Sequence, residues 1–280
     1  MLTRKLRLPY ADPAVRLTAL LPDGLRKPAV VVLPGGGYES CAPDEGLPIA
    51  KRFCDAGYAA FLLEYSTLST SPAATVFPGL LRELALTVAH IRRRAWEFDV
   101  DASHLVIFGA SAGAHLAASY GNRWMEPGIG AGIAAADKLC PEALILLYPA
   151  VEPDALPQSR MMEAIYGHKA PYSTAERVNA SAPLNVSAQT PPTILFHSAP
   201  DPSVPMDQAM HQFLALQRHG VPSEVHVFGS GEHAYGLGLG TPASIWPELS
   251  FRFLRELRRH PERFDPAYAR AQREARHSGG

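Results

Sequence analysis

The sequence predicts an α/β protein whose central sheet is mostly parallel and carries helices on both faces. Short uncharged apolar runs recur along the 280 residues, among them Ala29-Val30-Val31-Val32-Leu33, Leu105-Val106-Ile107-Phe108 and Ala143-Leu144-Ile145-Leu146-Leu147-Tyr148. Such runs suit strands covered on both sides. Segments with apolar residues at helical spacing alternate with them. No Pro/Gly-rich linker divides the chain. Residues 1–262 therefore read as one domain with an inserted loop or cap region over about 150–190, followed by a charged tail over 263–280.

Taken in order, Arg16 to Leu21 alternates weakly and stops at Pro22-Asp23-Gly24, which predicts a half-exposed strand. Ala29 to Leu33 is a buried strand closed by Pro34-Gly35-Gly36-Gly37-Tyr38. Asp44 to Gly57 reads as a helix with Asp44 as N-cap and Gly57 past its end. Tyr58 to Leu63 is the next strand, and the Ser/Thr/Pro-rich stretch 66–78 is a loop. Leu81, Leu84, Ala85, Val88 and Ile91 then form one helical stripe. After the strand ending at Phe108, Ala114 to Ala118 continue as a helix. Ala143 to Tyr148 is a strand, and 149–191 is irregular with one or two short helices around Met161 to Tyr166. Thr193 to Phe196 is a strand, Asp207 to His219 a helix capped by Asp207, and Glu224 to Phe228 a strand. Trp246 to Leu257 closes the series as an amphipathic helix, and the last residues are expected to fray.

Composition narrows the function. With 47% hydrophobic and 19% charged residues and a formal net charge of -1, the chain lacks the electrostatic footprint of a nucleic-acid binder. Arg92-Arg93-Arg94 reads as a solvated helix face. The apolar stretches are shorter than a membrane span, and the N-terminus shows no signal-peptide pattern. Cys41, Cys54 and Cys140 lack metal-ligand spacing and read as reduced thiols, so a cytoplasmic protein is expected.

The chemistry concentrates in four loops at strand ends, the edge where doubly wound sheets bind ligands. Gly109-Ala110-Ser111-Ala112-Gly113 is G-x-S-x-G between a strand and a helix, a tight turn that exposes a serine hydroxyl. A serine needs a base to act as nucleophile. His233, alone among the eleven histidines, sits in a glycine-rich loop after the last strand, Gly229 to Gly236. Asp201, between prolines after Phe196, suits a carboxylate that orients an imidazole. Glu152, Asp154 and Asp207 are weaker rivals. One or two main-chain N–H groups of the Gly35-Gly36-Gly37 loop, with that of Ala112, are candidate oxyanion donors, and a tight turn needing positive φ is the alternative reading of that loop. His115 reads as local packing or capping, His197 as support for the Asp201 loop, and His226 as structural. Tyr38, Tyr148 and the 150–190 insertion are expected to shape the leaving-group pocket, with core packing an equal reading for Tyr38.

The order serine, aspartate, histidine is that of the α/β-hydrolases. The pieces Pro34 to Tyr38, Glu45-Gly46, Gly57-Tyr58, Gly109 to Ala117, Thr190 to Thr193, Asp201 to Pro205 and Gly231 to Gly236 resemble the bacterial acetyl esterase and acetylxylan-esterase-like branch, related to hormone-sensitive-lipase-type esterases. The likeness runs from about residue 15 to 260. It implies an α/β-hydrolase fold and a serine carboxylesterase, without metal or cofactor, acting on short acyl esters, often acetyl groups on sugars, with Ser111, Asp201 and His233 as triad and Gly36, Gly37 and Ala112 as oxyanion donors. Pro34, Ser66, Ala114 and Ala234 depart from common residues of the branch and leave the substrate open. A peptidase or acyltransferase with the same triad, or a non-catalytic binding protein on this fold, are the competing readings. The expected partner is a small-molecule ester, with no nucleic acid and no membrane; a homo-oligomer is left open.

Overall fold

The computed structural model describes residues 1–156 and 158–264. The described residues form an eight-stranded sheet in the order β1-β2-β4-β3-β5-β6-β7-β8. Its strands are β1 (Leu2–Leu6), β2 (Arg16–Leu21), β3 (Lys27–Leu33), β4 (Ala59–Glu64), β5 (Val100–Ala110), β6 (Ala143–Leu147), β7 (Thr193–Ser198) and β8 (Ser223–Phe228). β2 pairs antiparallel with β1 and β4, and every other pairing is parallel.

Successive side chains of a strand point to opposite faces, and here both faces are covered. Val31, Phe61, Ile107 and Leu144 enter one core cluster, and their neighbours Val30, Ala60, Val106 and Ile145 enter the other. This is why the strands read as apolar runs and not as alternating patterns. Helices α1 (Leu47–Asp55) and α7 (Trp246–Arg259) cover the second face through Phe53, Trp246 and Leu254. Helices α2 (Gly79–Arg93) and α3 (Ala112–Arg123) cover the first, through Leu84, Val88 and Leu116. Between β6 and β7 stand α4 (Met161–Tyr166) and α5 (Thr174–Ala180). Helix α6 (Asp207–Arg218) precedes β8.

Several local expectations change. β1, too polar to signal itself, is an exposed edge strand. Asp44 caps no helix: it lies in a 3₁₀ turn, Pro43–Glu45, and Gly46 is the N-cap of α1. Asp207 is the first residue of α6, with Met206 at the N-cap and no side-chain cap. β8 is half-exposed because it forms the far edge. Arg92 is not a solvated charge. Its guanidinium donates to the carbonyls of Ala102, Lys138 and Cys140, tying α2 to β5 and to the segment before β6. No described helix is long and apolar enough to cross a membrane. The expected fraying of the last residues, and residues 265–280 of the charged tail, lie outside the described residues.

Candidate active site

The topology brings the four loops together at the carboxyl edge of the parallel strands. Ser111 follows β5, Asp201 follows β7, His233 follows β8, and Gly35 to Gly37 follow β3. Ser111 holds φ 51° and ψ −117° at the N-terminus of α3 and makes no side-chain cap bond. A non-glycine residue in the left-handed region is strained, and such strain gathers at functional sites. The turn is tight enough that a Cβ on Gly109 would stand 2.2 Å from the Gly113 carbonyl oxygen. The Ser111 hydroxyl is therefore free to donate to His233 Nε2, 2.9 Å away. His233 Nδ1 donates to Asp201 Oδ2 at 2.6 Å, which leaves Nε2 as the acceptor.

Asp201 is held from several sides. Its Oδ1 accepts the N–H groups of Ser203 and Val204, each at 2.9 Å. Burial by itself raises the pKa of this carboxyl. The adjacent His197 imidazole and the hydrogen bonds from His233 and the Val204 N–H outweigh burial and hold it well below the ordinary carboxylate range. His197 Nε2 donates to the Val204 carbonyl at 2.9 Å and lies 3.4 Å from Asp201 Oδ2. The rival acids are engaged elsewhere: Glu152 accepts from His211 and Asp154 from Arg177.

The glycine loop is shaped by its carbonyls. Gly35 O accepts the Ala42 N–H, and Gly36 O accepts those of Glu39 and Ser40. In a trans peptide the C=O and N–H point opposite ways, so anchoring these carbonyls sends the N–H groups of Gly36 and Gly37 to the other side. Neither N–H, nor that of Ala112 at the start of α3, donates to a protein acceptor among the described residues. Gly36 has φ +112°, and a Cβ there would lie 2.1 Å from Ser40 O. Only glycine suits that position.

Gly36, Gly37, Ser111 and His233 line a cavity of about 600 Å³ whose walls include Glu45, Leu156, Met161 and Val204. Its size suits a small molecule. Tyr38 and Tyr148 are not among its walls. Both are fully buried. The Tyr38 hydroxyl donates to His115 Nδ1 at 2.7 Å, and His115 Nε2 donates to the Ala180 carbonyl at 2.7 Å. His115 thus bridges the glycine loop and α5, where only a local contact was expected, and burial pushes its pKa down to about 4. Tyr148 packs edge-on against His233, with ring centroids 5.0 Å apart, and donates to Glu45 Oε1 at 2.7 Å. These tyrosines stand behind the cavity as supports.

A family model described as BD-FAE matches residues 21–216. The chain belongs to the BD-FAE family. The BD-FAE match runs from Leu21 at the end of β2 to Leu216 in α6 and so includes the glycine loop, Ser111 and Asp201. Among solved structures, the chain is similar to the acetyl ester-xyloside bifunctional hydrolase of Caldicellulosiruptor lactoaceticus, at 26% identity and a TM-score of 0.78 over 89% of this chain and 92% of that one. It is also similar to the carboxylesterase Cest-2923 of Lactobacillus plantarum WCFS1, at 26% identity and a TM-score of 0.75 over 91% and 98%. An endo-1,4-beta-xylanase B of Butyrivibrio fibrisolvens is 28% identical over 75% of this chain and 33% of its own. The chain spans 33% to 56% of the length of the curated relatives it matches. These likenesses agree with the α/β-hydrolase fold and the esterase branch named by the motifs.

Glu45 was not singled out by sequence reasoning as a site residue. It was visible only as half of Glu45-Gly46, and nothing in the spacing says that this carboxylate turns inward.

Proposed function

We propose that this BD-FAE protein is a carboxylic ester hydrolase that works through Ser111, His233 and Asp201 and prefers short acyl groups. The observation that carries the reading is the continuous relay from Ser111 Oγ to His233 Nε2 and from His233 Nδ1 to Asp201 Oδ2, facing the undonated N–H groups of Gly36 and Gly37 across one cavity.

In the first half-reaction Ser111 Oγ bonds to the ester carbonyl carbon while its proton passes to His233 Nε2. Negative charge collects on the carbonyl oxygen, where the N–H groups of Gly36, Gly37 and Ala112 receive it. The bond to the alkoxy oxygen breaks, and Nε2 returns the proton to the departing alcohol. In the second half-reaction water attacks the acyl carbon, gives a proton to Nε2 and releases the acid as the proton returns to Ser111 Oγ. Asp201 stabilises the imidazolium in each half without itself becoming protonated. Protein groups carry every step, so the reading needs no metal or cofactor.

The walls support an acylated polyol or sugar as the alcohol portion. Glu39, Gln158, Ser159 and Ser203 supply polar groups beside apolar Leu156 and Met161, a combination that suits a hydroxylated ring. The acetyl ester-xyloside hydrolase named among the similar structures agrees with this. Free thiols at Cys41, Cys54 and Cys140 suit a reducing compartment, and we place the enzyme in the cytoplasm.

The test is hydrolysis of p-nitrophenyl acetate by the wild type and by Ser111→Ala, with fluorophosphonate labelling of both. Turnover and labelling are expected in the wild type only. Unchanged turnover in Ser111→Ala, or an unlabelled wild type without turnover, overturns the reading. Comparison of acetylated xylosides with aminoacyl substrates separates an esterase from a peptidase.

A further inference from the structure

Glu45 is a carboxylic acid only 2% exposed that the hydrolytic steps do not use. A buried carboxylate is costly unless its oxygens are satisfied. Burial raises its pKa, and hydrogen bonds from Tyr148 and Gly35 counter that rise. Both donors belong to the active-site frame. Oε2 accepts the Gly35 N–H at 2.7 Å, and Oε1 accepts the Tyr148 hydroxyl at 2.7 Å. The same hydroxyl accepts the Gly236 N–H at 3.2 Å, and the Tyr148 ring abuts His233. Glu45 and Tyr148 together therefore link the peptide next to the oxyanion donors to the loop that holds the base.

We propose that Glu45 is a positioning residue that sets the aim of the Gly36 and Gly37 N–H groups relative to Ser111 and His233. The inference rests on the hydrolase reading above. Tight packing adds a second, independent observation. A Cβ on Gly35 would lie 2.3 Å from Glu45 Oε2 and 2.9 Å from Ser111 Cβ, so carboxylate, glycine loop and nucleophile share one close-packed corner. Two donors converge on Glu45, from the loops after β3 and β6. A carboxylate accepts both, whereas an amide offers one acceptor oxygen and its NH₂ faces one of the donors. Glu45→Gln keeps the shape and breaks the pattern. The N–H donors it aims act on charge that exists only in the transition state, so the loss falls on kcat and not on KM.

The experiment compares wild type, Glu45→Gln, Tyr148→Phe and Ser111→Ala on p-nitrophenyl acetate, with inhibition by an alkyl trifluoromethyl ketone. That ketone reports oxyanion binding because Ser111 adds to it to form a stable tetrahedral oxyanion. Glu45→Gln is expected to lower kcat by about 10- to 100-fold with KM within about threefold, and to weaken the ketone by the same factor as kcat/KM. Tyr148→Phe, which removes one of the two donors, is expected to show the same coupled loss at smaller size. Retained kcat in Glu45→Gln, or a lost kcat with unchanged ketone affinity, overturns the proposal. A lower Tm with full turnover per folded molecule marks a structural role only and overturns it too. Should Glu45→Gln fail to fold, Tyr148→Phe decides by the same two readouts. A wild type without Ser111-dependent turnover sinks the hydrolase reading instead, an outcome separate from these.

Discussion

His197 Nε2 lies 3.4 Å from Asp201 Oδ2, the oxygen that also receives His233 Nδ1 at 2.6 Å. Two imidazoles thus share one carboxylate oxygen. His197 is fully buried and also ties the turn down through the Val204 carbonyl. It holds Asp201 at the height where His233 can reach it.

His197→Ala removes that tie and leaves the Val204 carbonyl without its donor, at a cost of about 1–3 kcal/mol in stability. A displaced Asp201 misplaces the base, and kcat for p-nitrophenyl acetate is expected to fall on the order of tenfold. His197→Gln retains an N–H donor and is expected to recover part of both losses. Urea unfolding and steady-state kinetics on the three proteins check this.

Asp201→Asn tests the orienting carboxylate with little change of shape. The amide no longer favours the Nδ1–H tautomer of His233 or stabilises the imidazolium. By analogy with the serine-protease triad, kcat is expected to fall about 10⁴-fold. Fluorophosphonate labelling is expected to slow in parallel, and unimpaired turnover would assign the acid elsewhere.

Gly36→Ala tests the glycine loop. Its φ of +112° and the 2.1 Å approach of a Cβ to Ser40 O force the peptide to move, and the N–H aim moves with it. Loss of one oxyanion donor costs about 10²–10³ in kcat. The measurement is kcat on a variant whose circular dichroism matches wild type; wild-type turnover there would remove Gly36 from the donor set.

Glu83 predicts a pH dependence of stability distant from the cavity. It is buried, and its carboxyl accepts the Ser66 N–H at 3.0 Å and the Ser66 hydroxyl at 2.5 Å. Burial raises its pKa to about 7, with the Ser66 bonds partly opposing. A folded pKa above the unfolded one means that the folded state holds the proton more tightly. Its contribution to stability is full below the unfolded carboxyl range and is lost as pH rises toward about 7. Urea denaturation from pH 5 to 8 is expected to show Glu83→Gln gaining on wild type as pH rises, and a constant difference would contradict the assignment.

Much of the fold and the candidate site was legible from local signals. Fully apolar runs announce parallel strands because both faces of such strands are covered, as Val30 and Val31 are here by opposite cores. Ser111 was legible because a strand-to-helix turn needs the small residues Gly109 and Gly113 beside it. β1 was not, because an exposed edge strand has no apolar pattern to display. The roles of Tyr38 and Tyr148 were not legible either. An aromatic after a strand reads the same whether it faces a ligand or, like Tyr148, turns back to hydrogen-bond a buried acid.

Local order along the chain determined which peptides turn, which strands are covered on both faces, and which serine, aspartate and histidine stand in loops after strands. These follow from backbone sterics and apolar periodicity, which act over a few residues. Only tertiary structure decided that Glu45 faces Gly35 and Tyr148, that His115 joins Tyr38 to Ala180, and that His197 shares Asp201 with His233. Those contacts join segments that meet through sheet topology and core packing, so where each buried polar group finds its partner is settled when the whole chain has folded.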